Sequence, residues 1–296
     1  MQPETIAARL WPDDSVAVEP LGGGITNHNF KVMLASGESY VLRIGGKDTE
    51  LLGIDRTAEH AAASAAAAVG TGPEVVAFLP DESVLVTRFV PGEPIPPERM
   101  RTTDGIAEVV RRLKPFHDGR AIPGRFDSFR VVERYADEAV HAGASLPAAY
   151  ERLKPLAERV ERALGPRPLR PCHNDLLNGN FILDGDRVWI VDWEYAGMGD
   201  VLFDLANMSA KHDFGEAADD ELLRAYFGER REREADELAL LRLMANFFEA
   251  MWGVLQGAIS ELEFDFAAYA AENFDRLERT AAAPRFRAAL RAVESS

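Results

Sequence analysis

Four prolines fall within eight residues in the run PGEPIPPE, Pro91 to Glu98. Each fixes φ and lacks an N–H, so neither a helix interior nor a central strand can pass through the run. It separates two unlike stretches of chain. Before it lie VAVEPL (16–21), NFKVML (29–34), SYVLRI (39–44) and SVLVTRFV (83–90), rich in Val, Leu, Ile and Phe and separated by turn-forming residues, as strands are. One helix interrupts them: Asp55 is a natural N-cap, RTAEHAAASAAAAV follows on strong helix formers, and Gly70 to Pro73 stops it. After the prolines the pattern predicts helices over Thr103–His117, Val131–His141, Ala148–Leu164, Glu216–Phe227, Ala235–Ile259 and Phe266–Arg279. The exception is a short β island, NFIL and RVWIVDW, turning at Asp184-Gly185-Asp186. The expectation is an α+β chain with a small β-rich lobe, residues 1–91 including the hinge, and a larger mainly helical lobe, residues 92–296. The run ERREREADE is expected to be a solvated helix start.

Charge narrows the partners. Against 33 Lys and Arg stand 49 Asp and Glu, a net charge of −16, which argues against nucleic acid or an anionic membrane surface. It suits a cationic substrate or simple solubility. A single cysteine, Cys172, excludes an intramolecular disulfide and a cysteine-based zinc cluster. Glu4, Arg9, Asp13 and Asp14 leave no apolar signal segment, and the apolar run Ala61–Val69 is too short to span a bilayer, so a cytoplasmic protein without membrane insertion is expected.

Three segments could carry chemistry. LGGGITNHNFKV (21–32) sets three consecutive glycines ahead of a strand, where backbone amides can approach phosphate oxygens, although a plain hairpin turn satisfies the same pattern. Arg43 ends a strand and Glu59 lies in the first turn of the only helix nearby, so the two could pair. The third is CHNDLLNGNFIL…VWIVDWE: His173, Asp175 and Asn180 form H-x-D-x-x-x-x-N, and Asp192 follows at the end of an apolar strand. A carboxylate there needs a partner, and with a nearby loop Asp and Asn it suits an oxygen-ligated Mg²⁺. An unligated Asp175 could accept a proton from a substrate hydroxyl. Cys172 beside His173 does not make a nucleophilic pair, because neighbours in an extended segment point opposite ways.

HNDLLNGN and IVDWEYAG together resemble the choline/ethanolamine kinase branch of the aminoglycoside-phosphotransferase-like superfamily, and the likeness extends over nearly the whole chain. It implies a bilobal protein-kinase-like fold, with an antiparallel-sheet N-lobe for nucleotide and a helical C-lobe for catalysis and acceptor. It further implies ATP and Mg²⁺ as cofactors, with Gly23, Gly24, Thr26 and Asn27 in the nucleotide loop. Arg43 would meet the ATP phosphates, Glu59 would pair with it, and backbone groups of Arg88 to Val90 would meet adenine. Asp175 becomes the catalytic base, Asn180 and Asp192 the metal ligands, and Asp204 a brace for the catalytic loop. NFFEAMWGVLQGAISELEFDFAAYAAENF is similar to the segment whose aromatic residues box a quaternary ammonium, so Trp252, Phe266 and Tyr269 would line the acceptor pocket with Tyr195 and Glu194.

Two features depart from that pattern. Glu249 stands where the family tends to carry a second cage Trp, which weakens the cage and suits an ammonium that donates hydrogen bonds; position 266 carries Phe in place of Tyr. Phe248, Met251, Trp252, Leu255 and Ile259 also follow the spacing of an ordinary core stripe. The implied acceptor is a small cationic amino alcohol: choline first, then ethanolamine, with an aminoglycoside as a sibling reading. A non-catalytic pseudokinase would have lost Asp175, Asn180 or Asp192, and a phosphohydrolase would need a metal cluster that the six histidines do not form by spacing. Monomer and homodimer both remain open.

Overall fold

The computed structural model describes residues 2–22 and 26–295. Gly23 and Gly24, expected in the nucleotide loop, lie outside the described residues.

The N-terminal part is built on a five-stranded antiparallel sheet. The chain enters through α1 (Pro3–Leu10) and runs β1 (Val16–Pro20), β2 (Asn27–Leu34), β3 (Ser39–Gly45), α2 (Arg56–Ala68), β4 (Val75–Leu79) and β5 (Val84–Arg88). The strand order is β1-β2-β3-β5-β4, with every pair antiparallel. Alternation along β5 divides the core between the two faces. Val84 and Val86 join Val32, Leu34, Tyr40 and Leu42 under Ile6 and Ala7 of α1. Leu85 points the other way, into the large core that also holds Ala62, Ala63 and Ala66 of α2. Asp55 caps α2 as its sequence predicts, accepting hydrogen bonds from Thr57 N and Ala58 N. Helix α1 and strand β4 are absent from the sequence reading: α1 is a short segment led by a proline, and VVAFL is a continuous apolar run without alternation.

The proline run is extended and then helical. Glu93–Pro94 form β6, an edge strand, where a missing N–H costs nothing, and Pro97 opens α3 (Pro97–Met100) at a position whose N–H would be orphaned anyway. Gly92 is required by proximity, since a Cβ there would lie 2.3 Å from Leu183 O.

The remainder is helical around the β island. Helices α4 (Thr103–His117), α5 (Ser128–His141) and α6 (Ala148–Leu164) precede β7 (Arg170–Cys172), β8 (Phe181–Asp184), β9 (Arg187–Ile190) and β10 (Gly197–Gly199). Then follow α7 (Val201–Lys211), α8 (Glu216–Phe227), α9 (Glu232–Ile259), α10 (Phe266–Ala282) and α11 (Pro284–Glu294). The β8–β9 hairpin turns at Gly185, φ 57°, as predicted. Helix α5 starts a turn early because Asp127 caps it. Helices α7 and α11 were not anticipated. The ERREREADE run does begin α9, but it is not wholly solvated: Glu237 is buried and paired with Arg167 at 2.6 Å and Arg233 at 2.9 Å. Helix α9 is long and apolar enough to cross a membrane, yet its apolar window is 83% buried by the surrounding helices, so here it is a core helix.

Candidate active site

A cavity of about 690 Å³ runs between the sheet and the helices, and both predicted subsites open into it. Its nucleotide end is lined by Gly22, Thr26, Val41, Leu85, Phe89 and Val90, and its far end by Tyr195, Lys211, Phe248, Glu249, Trp252 and Tyr269. Arg43, Asp175, Asn180 and Asp192 lie along it as well.

The hairpin brings the motif together. Asn180 immediately precedes β8 and Asp192 follows β9, so residues distant by count become neighbours across two short strands. Asp192 is in the left-handed region, φ 66°, as is Asn174, φ 69°. Such strained backbone persists only where its surroundings over-determine it. Here Asn174 Nδ2 donates to Tyr195 O at 2.9 Å, and Val191 N to Asn180 O at 3.0 Å.

Arg43 and Glu59 pair as expected, Nη1 to Oε1 at 2.5 Å, and the other guanidinium arm reaches Asp192 Oδ1 at 2.7 Å. Burial opposes the charge on Arg43, but Asp192 and Glu59 more than offset it and push the guanidinium further up, so it stays cationic. Burial pushes Asp175 up to about 7; Glu249 and Asp192 add to this, while Lys211 and the Asn180 hydrogen bond oppose it.

Asn180 Nδ2 donates to Asp175 O at 2.9 Å and approaches its Oδ2 at 3.3 Å. With the amide nitrogen committed, Asn180 Oδ1 is the atom available to a cation. Asp192 Oδ1 is buried, and among the described residues Arg43 is its one charged contact. An amide oxygen beside an under-satisfied carboxylate is the hard-oxygen donor set that Mg²⁺ takes when phosphates and water complete its shell.

The loop carrying Asp175 is held from beneath. Asp204 is fully buried and accepts from His173 N at 2.8 Å and Asn174 N at 2.6 Å. Its Oδ2 also meets His117 Nε2 at 2.9 Å, and His117 Nδ1 meets the Tyr226 hydroxyl. His173 is a spacer and not a base. Its Nδ1 accepts from Asp175 N and its Nε2 donates to Val191 O, a neutral tautomer set by its partners, and burial lowers its pKa. Cys172 is fully buried and its thiol is pushed up, so it is inert.

His212 secures the same loop by bonding Leu176 O at 3.1 Å, and burial lowers its pKa from 6.5 to about 4. The folded protein therefore keeps it neutral while the unfolded chain takes up a proton. Stability should fall as pH drops from about 6.5 toward about 4, by up to about 3 kcal/mol from this group alone. Urea titrations at several pH values should show a shallower acid-side decline in His212→Gln; parallel curves for the two proteins would refute the assignment.

Several predicted residues sit differently from the simplest picture. Asn27 is buried and does not line the cavity: its side chain bonds Glu194 Oε2 at 2.8 Å and Arg56 Nη2 at 2.7 Å. Glu194 lines the cavity but is tied to β2 by Asn27 and to α2 by Arg56, and burial beside Asp192 pushes it up to about 8. The Arg88 side chain points outward to Glu38 and Glu74, so only its backbone faces the hinge. There Arg88 N–H and Phe89 N–H are already committed to Glu74 O and Ser39 O; among the described residues Val90 N–H has no such partner. Phe266 packs edge-on behind Trp252, with centroids 5.9 Å apart, and does not line the cavity. Trp252 does, donating to the Tyr195 hydroxyl at 2.9 Å.

Two residues escaped the sequence reading. Arg56 joins Glu59, Asn27 and Glu194, and its spacing three residues before Glu59 was a usable signal. Lys211 bonds Glu249 Oε2 at 2.6 Å; at the end of FDLANMSAK it reads as an ordinary helix-terminal base.

Residues 17–239 match the phosphotransferase enzyme family. Among curated relatives, the LicA protein of Haemophilus influenzae is 28% identical over 86% of this chain and 76% of its own length. Human ethanolamine kinase 1 is 28% identical over 90% of this chain and 68% of its own. A choline/ethanolamine kinase family protein from Mesorhizobium loti superposes with a TM-score of 0.84 at 35% identity, with both chains fully covered. The choline kinase LicA from Streptococcus pneumoniae shares the fold, TM-score 0.81 at 21% identity, over 94% of this chain and 98% of its own. With a kinase-like fold that sets a loop aspartate, an asparagine and a strand-end aspartate around one cleft, the chain belongs to the phosphotransferase enzyme family and is an ATP-dependent kinase of small-molecule alcohols.

Proposed function

We propose that this enzyme transfers the γ-phosphoryl group of ATP to the hydroxyl of a small cationic amino alcohol of the choline and ethanolamine class. The supporting observation is a single cavity lined by Asp175, by Arg43 and Asp192, and by Trp252, Tyr269, Tyr195 and Glu249. Residues 1–91 serve the nucleotide and residues 92–296 carry the catalytic loop and acceptor pocket. ATP is a cytoplasmic metabolite, and we place the enzyme there.

In this reading Val90 N–H and the neighbouring backbone receive adenine, Gly22 and Thr26 border the phosphates, and Arg43 offsets their charge. Asn180 and Asp192 would hold Mg²⁺, which supplies neutralisation of the phosphate charge when bound. Asp175 orients the acceptor hydroxyl and accepts its proton as that oxygen bonds to the γ-phosphorus; the bond to the β–γ bridging oxygen breaks and ADP leaves. Aromatic faces attract the ammonium group and fix the distance from its charge to the reacting hydroxyl.

Coupled measurement of ADP release across choline, ethanolamine and a set of aminoglycosides tests this directly. Amino alcohols should stimulate release well above the rate with ATP alone, and aminoglycosides should not. A preference for aminoglycosides would overturn the reading.

A further inference from the structure

We infer that Lys211 cancels the charge of Glu249, so that the acceptor pocket holds its ammonium by a hydrogen bond to Glu249 and takes one that carries N–H groups over a trimethylammonium. This rests on the amino-alcohol reading above and concerns the same pocket.

The geometry is a triad across three helices. Lys211 Nζ, at the end of α7, lies 2.6 Å from Glu249 Oε2 on α9. The Tyr269 hydroxyl on α10 donates to the same oxygen at 2.5 Å. Burial and Glu249 hold the Tyr269 phenol protonated, so it remains a donor. All three residues line the cavity beside Trp252 and Asp175.

Two consequences follow from elementary electrostatics. The pull of a free carboxylate on any ammonium falls off slowly with distance and is shared by methylated and unmethylated amines alike. With Lys211 against it, Glu249 exerts little net pull, and a trimethylammonium in the pocket faces a neighbouring cation. A directed hydrogen bond survives neutralisation. Among the described residues both protein donors converge on Oε2, leaving Oε1 to accept from a ligand, and only an ammonium bearing N–H can use it. The other carboxylates do not replace the lost charge: Glu194 is engaged by Asn27 and Arg56, and Asp192 by Arg43.

The test is a graded series of ethanolamine, N-methylethanolamine, N,N-dimethylethanolamine and choline, with kcat/KM measured for each. In the wild-type enzyme the largest single drop should fall at the last methyl, where the final N–H disappears, and should be about tenfold or more, the size expected for loss of one charge-assisted hydrogen bond. In Lys211→Met the restored Glu249 charge attracts every ammonium, so kcat/KM for choline should rise severalfold or more while the step at the last methyl persists. Should Lys211→Met fold poorly with Glu249 unpaired, Lys211→Met/Glu249→Met removes both charges and the acceptor oxygen together and should abolish the step. A smooth decline across the wild-type series, no gain for choline in a folded Lys211→Met, or an unchanged step in the double variant would overturn the inference while leaving an amino-alcohol kinase. No turnover of any of the four by the wild-type enzyme would instead overturn the underlying reading.

Discussion

Replacing Asp175 with alanine should lower kcat by about a thousandfold while the dissociation constant for ATP changes by less than about threefold, since a positioned general base contributes roughly a hundred- to ten-thousandfold. The separation of the two effects follows from the contacts. The residues that border the nucleotide end of the cavity, Thr26, Val41, Phe89 and Val90, do not touch Asp175 through any hydrogen bond or ion pair. Asn180 keeps its stronger tie after the substitution, because its 2.9 Å hydrogen bond is to the backbone oxygen of residue 175 and only the 3.3 Å contact involves the side chain. The metal-binding pair should therefore stay in place. Stability should not suffer either: a buried carboxyl whose pKa is pushed up is charged at a cost, and removing it relieves that cost. Rapid-quench or coupled kinetics, combined with equilibrium binding of ATP, separates the outcomes. Turnover within tenfold of wild type would remove Asp175 from the role of base.

What could be read from the chain alone follows the range of the contacts. Asp175, Asn180 and Asp192 were legible because one hairpin, β8 and β9, joins them, and a hairpin is a local structure with recognisable turn chemistry. Arg43 and Glu59 were legible because a charged residue ending a buried strand requires a partner and only one helix was at hand. The family likeness then supplied roles that spacing alone left open. Contacts between elements far apart in sequence were not legible. Lys211 and Glu249 meet only because α7 packs against α9, and nothing in either helix announces the other. Glu249 accordingly reads as a free carboxylate in sequence and is a neutralised one in the fold. Likewise Asn27 and Glu194, assigned to nucleotide and acceptor, are joined to each other and to Arg56 across the cleft. Phe266 follows the aromatic pattern of the acceptor segment, yet Trp252 stands between it and the cavity. Short elements were lost for a related reason: α1 is eight residues long and β4 five, and the packing that stabilises them comes from the rest of the sheet and not from their own residues.

Asp204 should govern stability where Asp175 governs rate. Its carboxylate is fully buried and serves three donors at once: His173 N, Asn174 N and the His117 ring. Asp204→Ala leaves two backbone N–H groups without an acceptor in a site that no solvent reaches, and frees a histidine whose only other hydrogen-bond partner among the described residues is the Tyr226 hydroxyl. Each lost charge-assisted hydrogen bond is worth about 1.5–3 kcal/mol, so a combined loss of about 4 kcal/mol is expected. For a chain of this size that corresponds to a fall in Tm of about 6 °C. Asp204→Asn should fall between alanine and wild type, because it retains one acceptor oxygen but turns an N–H toward donors. The activity loss in Asp204→Ala should be secondary: Asn174 no longer has the support that over-determines its left-handed backbone, and Asp175 follows it in the chain. Calorimetry of the two variants beside Asp175→Ala makes the distinction, with Tm expected to drop for residue 204 and to hold for residue 175. A Tm for Asp204→Ala within about 2 °C of wild type would show that the loop is held by other contacts, His212 to Leu176 O first among them.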